Sequence, residues 1–366
     1  MAIGNLKGEL IGQVIYNCVD YGVTTESLDN TEALQNLIDL VYENGGGVIW
    51  IPVGTYLFDS EASTRTLTSN VTVLCEPKSG VSIIGESVYN TILKVTGNTS
   101  QGSSLFAQNS SEAGELLIGC TYANFTVDMS EASLTTYTHR GKAFYFSGIK
   151  DCVFRDLRLL STPSTSLGID MLDNVVMDSI YVYQGGRQWS LGGNGGAGIG
   201  IGTGKWQNEN YVIRNCICDS CGHFGIFLED QGIFDSNKIT NFPKGQIIAN
   251  NIVRNGRNYG IGVRGGKNVL VTGNNLYENV GGIYVDYGAK NIMFSNNLVQ
   301  GSTENGFHFG NEDYLYNYCT ESKPCENIAV VGNTFIENKI GIKKTTAPLT
   351  STIENNIMIA NTTDEQ

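Results

Sequence analysis

The chain has 366 residues, 45 of them glycine and six proline; it is 41% hydrophobic, only 16% charged, and carries a formal charge of −13. This balance describes one large or two ordinary globular domains full of tight turns and excludes a disordered chain. No Lys/Arg cluster is present to neutralise phosphates, which excludes nucleic acid as a partner, and no apolar run reaches the ~20 residues of a membrane-spanning helix.

In chain order, the first predicted element is an amphipathic helix, because Ala33, Leu34, Leu37, Ile38 and Val41 recur at helical spacing. Asn30 or Thr31 opens it as a cap, and Gly45, Gly46 and Gly47 stop it. The run VIWIPVGTYLF, residues 48 to 58, then alternates as a strand. Residues 1–60 are read as an N-terminal segment with a capping helix and the first strands, and 61–366 as a solenoid within the same single domain. The helix covers the open apolar end of the stack and blocks end-to-end pairing.

From residue 215 onward the chain repeats itself. Asn-x-aliphatic units begin at Asn215, Asn250, Asn274, Asn296, Asn333 and Asn355, and a glycine before an apolar residue follows at Gly225, Gly260, Gly282, Gly306 and Gly341. The glycine intervals are 22 (Gly260 to Gly282), 24 (Gly282 to Gly306) and 35 (Gly225 to Gly260, Gly306 to Gly341), so two coils carry loops. A unit this short cannot bury an apolar face alone but can when stacked on copies of itself. The expected fold is all-β, a parallel β-helix in which asparagines of successive coils bond one another's backbone or amide. A sandwich or propeller also uses short Gly/Asn-punctuated strands, but periods near 22 are short for propeller blades.

The stretch VDYGVTTESLDNTEALQNLIDLVYENGGGVIWIPVGTYLF, followed by VSIIGESVYNTILK, resembles the start of the pectin-lyase-like superfamily of right-handed parallel β-helices. That superfamily includes pectate lyases, polygalacturonases, mannuronan epimerases and phage tailspike depolymerases. The resemblance is close from Val19 to Lys94 and looser over the later coils. The full polygalacturonase set of paired aspartates, Gly-His-Gly and Arg-x-Lys is absent, CGHFG at 221 to 225 being a fragment of it, and no calcium-and-arginine pattern of pectate lyases is found. Tailspikes are the most similar members. They imply action on a polysaccharide, a homotrimer, and an extracellular or virion-associated place. The N-terminus, MAIGNLKGELIGQVIYN, lacks the basic start and apolar stretch of a secretory signal, so export is expected after leader removal or by lysis.

Residues at fixed offsets from the coil glycine should form columns up the outside of the stack. The second position after the glycine collects Asp170, Gly200, Phe227, Gly262, Tyr284 and His308; the fourth collects Leu172, Gly202, Glu229, Arg264, Asp286 and Gly310. With coils ~4.8 Å apart, Glu229 and Asp286 stand roughly 10 Å apart with Arg264 between them. Hydrolysis with inversion takes two carboxyl groups about 6.5–9.5 Å apart, so Glu229 and Asp286 are the candidate acid and base. Arg264 keeps carboxylates ionised or binds an acidic sugar. Elimination or epimerisation of a uronate would instead use Tyr284, His308 and Arg264. Trp189 and Trp206, with Arg187, Asp170 and Phe227, are candidates for holding sugar rings, and Gly200, Gly202 and Gly262 leave room for a bulky chain. A plain solvated charge ladder is the alternative to catalysis, and a non-catalytic glycan-binding adhesin is the alternative function.

Nine cysteines follow no framework spacing and read as buried small hydrophobes. Cys216, Cys218, Cys221 and His223 have a spacing that zinc can use, but the alternation of Cys216 and Cys218 favours stacking on neighbouring coils. Cys319 and Cys325 flank a loop. No metal or other cofactor is expected, with calcium only if the reaction is elimination. The negative charge favours a neutral or weakly charged glycan.

Overall fold

The computed structural model describes residues 13–61, 65–66, 72–99, 102–109, 116–138, 140–190, 195–204, 209–230, 245–310 and 324–366. Its repeating unit is a coil of three strands. Tyr259–Arg264, Lys267–Thr272 and Asn275–Tyr277 make one turn of the chain, and Gly281–Asp286 starts the next turn in register on Tyr259–Arg264. Alternate residues point inward, so Ile261 and Val263 stack on Ile283 and Val285, all fully buried, and the core is a continuous apolar column. Among the described residues the strands form two sheets, of 20 and 13 strands, and each pairing is parallel apart from Arg65–Thr66 against Thr72–Cys75. The fold is a right-handed parallel β-helix with one helix at its N-terminal end.

That helix, Thr31–Glu43, lays Leu34, Leu37, Ile38 and Val41 on the end of the core. Asn30 occupies the cap position but its side chain is used elsewhere, accepting from Thr24 N at 2.8 Å and donating to Leu57 O at 3.1 Å. Asp29 does the capping, its carboxylate accepting from Thr31 N at 3.0 Å. Gly45 and Gly46, at φ 89° and 96°, end the helix as expected. The strands Ile15–Asn17, Gly47–Ile51 and Gly54–Asp59 join the same large sheet as later coils.

The asparagine repeat resolves into two jobs, and the structure corrects its register by one residue at Asn274 and Asn333. Asn215, Asn250, Asn296 and Asn355 share a left-handed backbone position with Gly273 and Gly332, at φ between 54° and 67°. The next residue points inward. Asn251, Asn274, Asn297, Asn333 and Asn356 form a buried ladder in which each amide donates to the Oδ1 of the next at 2.9 to 3.0 Å. Cys216 stands at the ladder's lower end, its N–H donating to Asn251 Oδ1 at 2.9 Å. A second ladder, Asn338 to Asn361, serves the following turn.

Candidate functional site

Strand register places the two outward columns. Gly202, Glu229, Arg264 and Asp286 occupy successive rungs, as the sequence predicts. So do Gly200, Phe227, Gly262, Tyr284 and His308 in the neighbouring column. Asp170 is corrected: it pairs with Gly202 and therefore belongs to the column of Glu229, two rungs below it, while Gly168 pairs with Gly200 and Leu172 is buried. The register slipped because Gly168 is itself a column residue and not the coil-start glycine.

Arg264 lies between the two carboxylates. Its Nε reaches both oxygens of Asp286 at 3.2 and 3.3 Å, and Nη1 stands 3.8 Å from Glu229 Oε1. The two acids differ in setting. Asp286 is only 5% exposed and also receives the Tyr284 hydroxyl; burial holds its carboxyl above the ordinary range, outweighing Arg264. Glu229 has a more open side chain, 21% exposed. The adjoining Asp230 turns inside and pairs with Lys267 Nζ at 3.1 Å.

Beside the acids runs a band of rings. Trp189 stacks on His223 (centroids 4.5 Å apart), Phe224 stacks on Phe227 (4.4 Å), Tyr259 packs on Tyr284 (4.9 Å), and Tyr284 meets His308 edge-on (5.2 Å). The Arg264 guanidinium lies 5.5 Å over the Phe227 ring. The glycines are not vacant floor. A side chain at Gly262 would strike the Phe224 ring at 2.4 Å, one at Gly281 the Tyr259 ring at 2.2 Å, and one at Gly196 the Trp189 ring at 2.6 Å. Gly262 therefore makes room for a protein ring and not for a glycan chain, while Gly200 faces Thr165 Cγ2 at 3.2 Å.

His308 is held on both nitrogens, by Tyr259 Oη at 2.6 Å and Thr345 Oγ1 at 2.7 Å. Asn305 Nδ2 donates to the same Tyr259 oxygen at 3.0 Å, which fixes that hydroxyl against the His308 ring. His223 uses Nδ1 on Gly195 O at 3.0 Å, which leaves Nε2 as its unprotonated nitrogen. Burial pulls both imidazoles down to about 4, with Arg264 adding to the effect at His223 and Lys343 at His308. An unfolded histidine takes a proton near pH 6.5, so the stability each neutral ring contributes is complete above that pH and is lost as pH falls toward 4. Allowing for their partial exposure, the loss is roughly 2 kcal/mol per histidine. Thermal unfolding midpoints followed from pH 7 to 4.5 are expected to fall more steeply in the native protein than in a His308→Gln variant; parallel curves would remove the assignment.

Three other sequence candidates behave differently. Trp206 lies outside the described residues, as does Cys319. Arg187 makes a structural tie: Nε donates to Ser161 O at 2.8 Å and Nη2 to Met129 O at 3.4 Å and to Ala132 O. It anchors the loop that brings Trp189 onto His223. Sequence reasoning missed Phe224, Tyr259 and Lys142. Phe224 and Tyr259 immediately precede coil glycines, and that position is the signal that would have found them. Lys142 is 8% exposed, with Nζ 4.1 Å from the Tyr145 ring centroid and beside Gly168. Burial brings its amine down to about 8, opposed by the nearby Asp170. Among the described residues no group of three or more His, Cys, Asp and Glu side chains is arranged to hold a metal ion.

A family model described as rhamnogalacturonase A/epimerase, pectate lyase-like, matches residues 15–307. No curated protein sequence matches significantly. Among solved structures, the A-module of mannuronan C-5 epimerase AlgE4 from Azotobacter vinelandii superposes with a TM-score of 0.68 at 14% identity, covering 96% of this chain and 97% of that one. The hyperthermoactive exopolygalacturonase of Thermotoga maritima gives 0.63 at 12% identity, covering 97% and 96%. The tailspike of E. coli bacteriophage HK620, solved with a pentasaccharide, gives 0.66 at 13% identity, covering 98% of this chain and 65% of the tailspike. Identities this low establish a shared fold.

Proposed function

Because the chain belongs to the rhamnogalacturonase A/epimerase, pectate lyase-like family, we propose that it is an enzyme acting on an extracellular polysaccharide, and that it cleaves glycosidic bonds by hydrolysis. The observation that carries the reading is the pair Glu229 and Asp286, two rungs apart on one outward column and set apart in character by Arg264 and by burial. Asp286, in which burial favours the protonated form, serves as the acid toward the leaving oxygen. Glu229, more exposed, serves as the base toward water. The ring band supplies faces on which sugars stack.

Elimination or epimerisation of a uronate is the second reading. His308 fits it poorly, since both ring nitrogens are already bonded within the protein, to Tyr259 and to Thr345. Tyr284 fits poorly too, because burial, with Asp286 beside it, holds the phenol well above its usual range. What favours it is Lys142, a buried amine brought down to about 8 beside Asp170. Calcium would enter only with that chemistry. A glycan-binding adhesin would keep the rings and lack the convergent acids. A homotrimer in a virion-associated or extracellular setting is carried into the proposal from the tailspike likeness.

The test is incubation with a panel of capsular and plant polysaccharides while following new reducing ends and unsaturated-uronate absorbance together. Hydrolysis is expected to give reducing ends without absorbance. Both signals rising together would transfer the reaction to elimination, and glycan retention with neither signal would leave the adhesin.

A further inference from the structure

Four of the buried cysteines come in neighbouring pairs, and the reaction assigned above uses none of them. Cys120 and Cys152 each stand one residue before an in-register strand pair, Thr121 against Val153, so their backbones are one rung apart. The backbone of one is bonded to the strand of the other, Val153 N donating to Cys120 O at 2.9 Å, and each thiol acts on the proton affinity of the other. Each also reaches carbonyls of the same short strand, Cys120 Sγ that of Ile118 at 3.6 Å and Cys152 Sγ that of Leu117 at 3.7 Å. A rung of ~4.8 Å falls within the ~4.4–6.8 Å between Cα atoms that a disulfide spans.

The second pair is Cys218 and Cys221. Cys218 ends its run of inward positions on Ile217–Asp219, the chain turns at Ser220 (φ 58°), and Cys221 folds back to the same side, both thiols being buried. Both sulfurs crowd one spot: a side chain on Gly198 would meet Cys221 Sγ at 2.9 Å and Cys218 Sγ at 3.1 Å. The turn is braced from outside by Asp219, whose carboxylate accepts from Arg254 Nε at 2.8 Å and Asn255 Nδ2 at 2.9 Å. Immediately after Cys221 the chain delivers His223 and Phe224 to the ring band. Cys18 Sγ bonds the carbonyl of Val23 and meets the Tyr56 hydroxyl, and Cys216 Sγ bonds the carbonyls of Arg214 and Met177.

We propose that Cys120–Cys152 and Cys218–Cys221 are oxidation sites that close to disulfides when the chain folds where a disulfide oxidant is present, the first stapling two coils and the second locking the turn beneath the ring band. In each closure the two thiols give two electrons and two protons to the oxidant's disulfide, which becomes two thiols while one S–S bond forms in the chain. The inference stands apart from the glycan reading, because its readout is covalent.

The full chain would be exported behind a leader to the bacterial periplasm, where folding takes place with such an oxidant. It would then be unfolded in an alkylating reagent and digested without reduction. Peptides joining Cys120 to Cys152 and Cys218 to Cys221 are expected, with Cys18 and Cys216 alkylated. Reduction should lower the thermal midpoint by about 5 °C, chiefly through the longer Cys120–Cys152 loop. A Cys218→Ser/Cys221→Ser variant should keep the Cys120–Cys152 link. Alkylation of either pair, or its linkage to any other cysteine, would overturn the assignment for that pair.

Discussion

Glu229→Gln is expected to reduce cleavage of the responsive polysaccharide on the order of 10³-fold while leaving glycan binding and the unfolding midpoint nearly unchanged. The amide keeps the shape of the side chain and its approach to Arg264 but cannot take a proton from water. Arg264 retains Asp286 at 3.2 Å, and the Glu229 side chain is 21% exposed, so water reaches the substituted group. Asp286→Asn is expected to abolish cleavage as well, because an amide has no acidic proton to give the leaving oxygen, and to change the unfolding midpoint little, since it replaces a carboxyl that burial already holds toward its neutral form. Turnover by Glu229→Gln at close to the native rate, measured by reducing ends on the same polymer, would remove Glu229 from the chemistry and move attention to Lys142 and Asp170.

The largest loss of stability is expected at the middle of the asparagine ladder. Asn297 Oδ1 accepts from Asn274 N at 3.0 Å and from its amide at 2.9 Å; Asn297 Nδ2 donates to Val271 O at 3.0 Å and to Asn333 Oδ1 at 2.9 Å. Asn297→Ala leaves these four buried groups without that partner. With about 1–3 kcal/mol for each group left unsatisfied and partial relaxation of the turn, the net cost is roughly 4 kcal/mol. Its neighbour Asn296 provides the control. At φ 54° it holds a position that Gly273 and Gly332 fill in other coils, so Asn296→Gly should be close to neutral. Denaturant unfolding of the two variants compares them directly, and equal midpoints would mean that the ladder is ornamental.

The solenoid was legible because its coil is periodic: the recurring Gly-apolar starts mark the strand that carries the columns, and Glu229, Arg264 and Asp286 followed from counting. Counting failed where a residue type served two roles. Paired asparagines hid which member turns inward, and Gly168 looked like a coil start when it stands in the column itself. The ring band was only half legible, since Phe224 and Tyr259 precede the glycines from which positions were counted and Trp189 arrives on a loop tied by Arg187. Burial of Lys142 depends on Tyr145 and Gly168 meeting it across coils, which no local pattern announces. Helix capping was misplaced by one or two residues for a similar reason: Asn30 is drawn away by Thr24 and Leu57, and Asp29 takes its place.

The overlap of rings and glycines has a consequence for how such a surface can diverge. Phe224 lies over Gly262, Tyr259 over Gly281, and the Tyr284 hydroxyl 2.2 Å from where a side chain on Gly310 would begin. Each partner constrains the other's size, so a single change either opens a hole or expels a ring. New specificity along this face is therefore reached by paired exchanges, in which a ring is traded for a smaller side chain as its glycine gains one. In relatives of this chain those positions should vary together, and libraries that randomise them one at a time should return mostly damaged proteins.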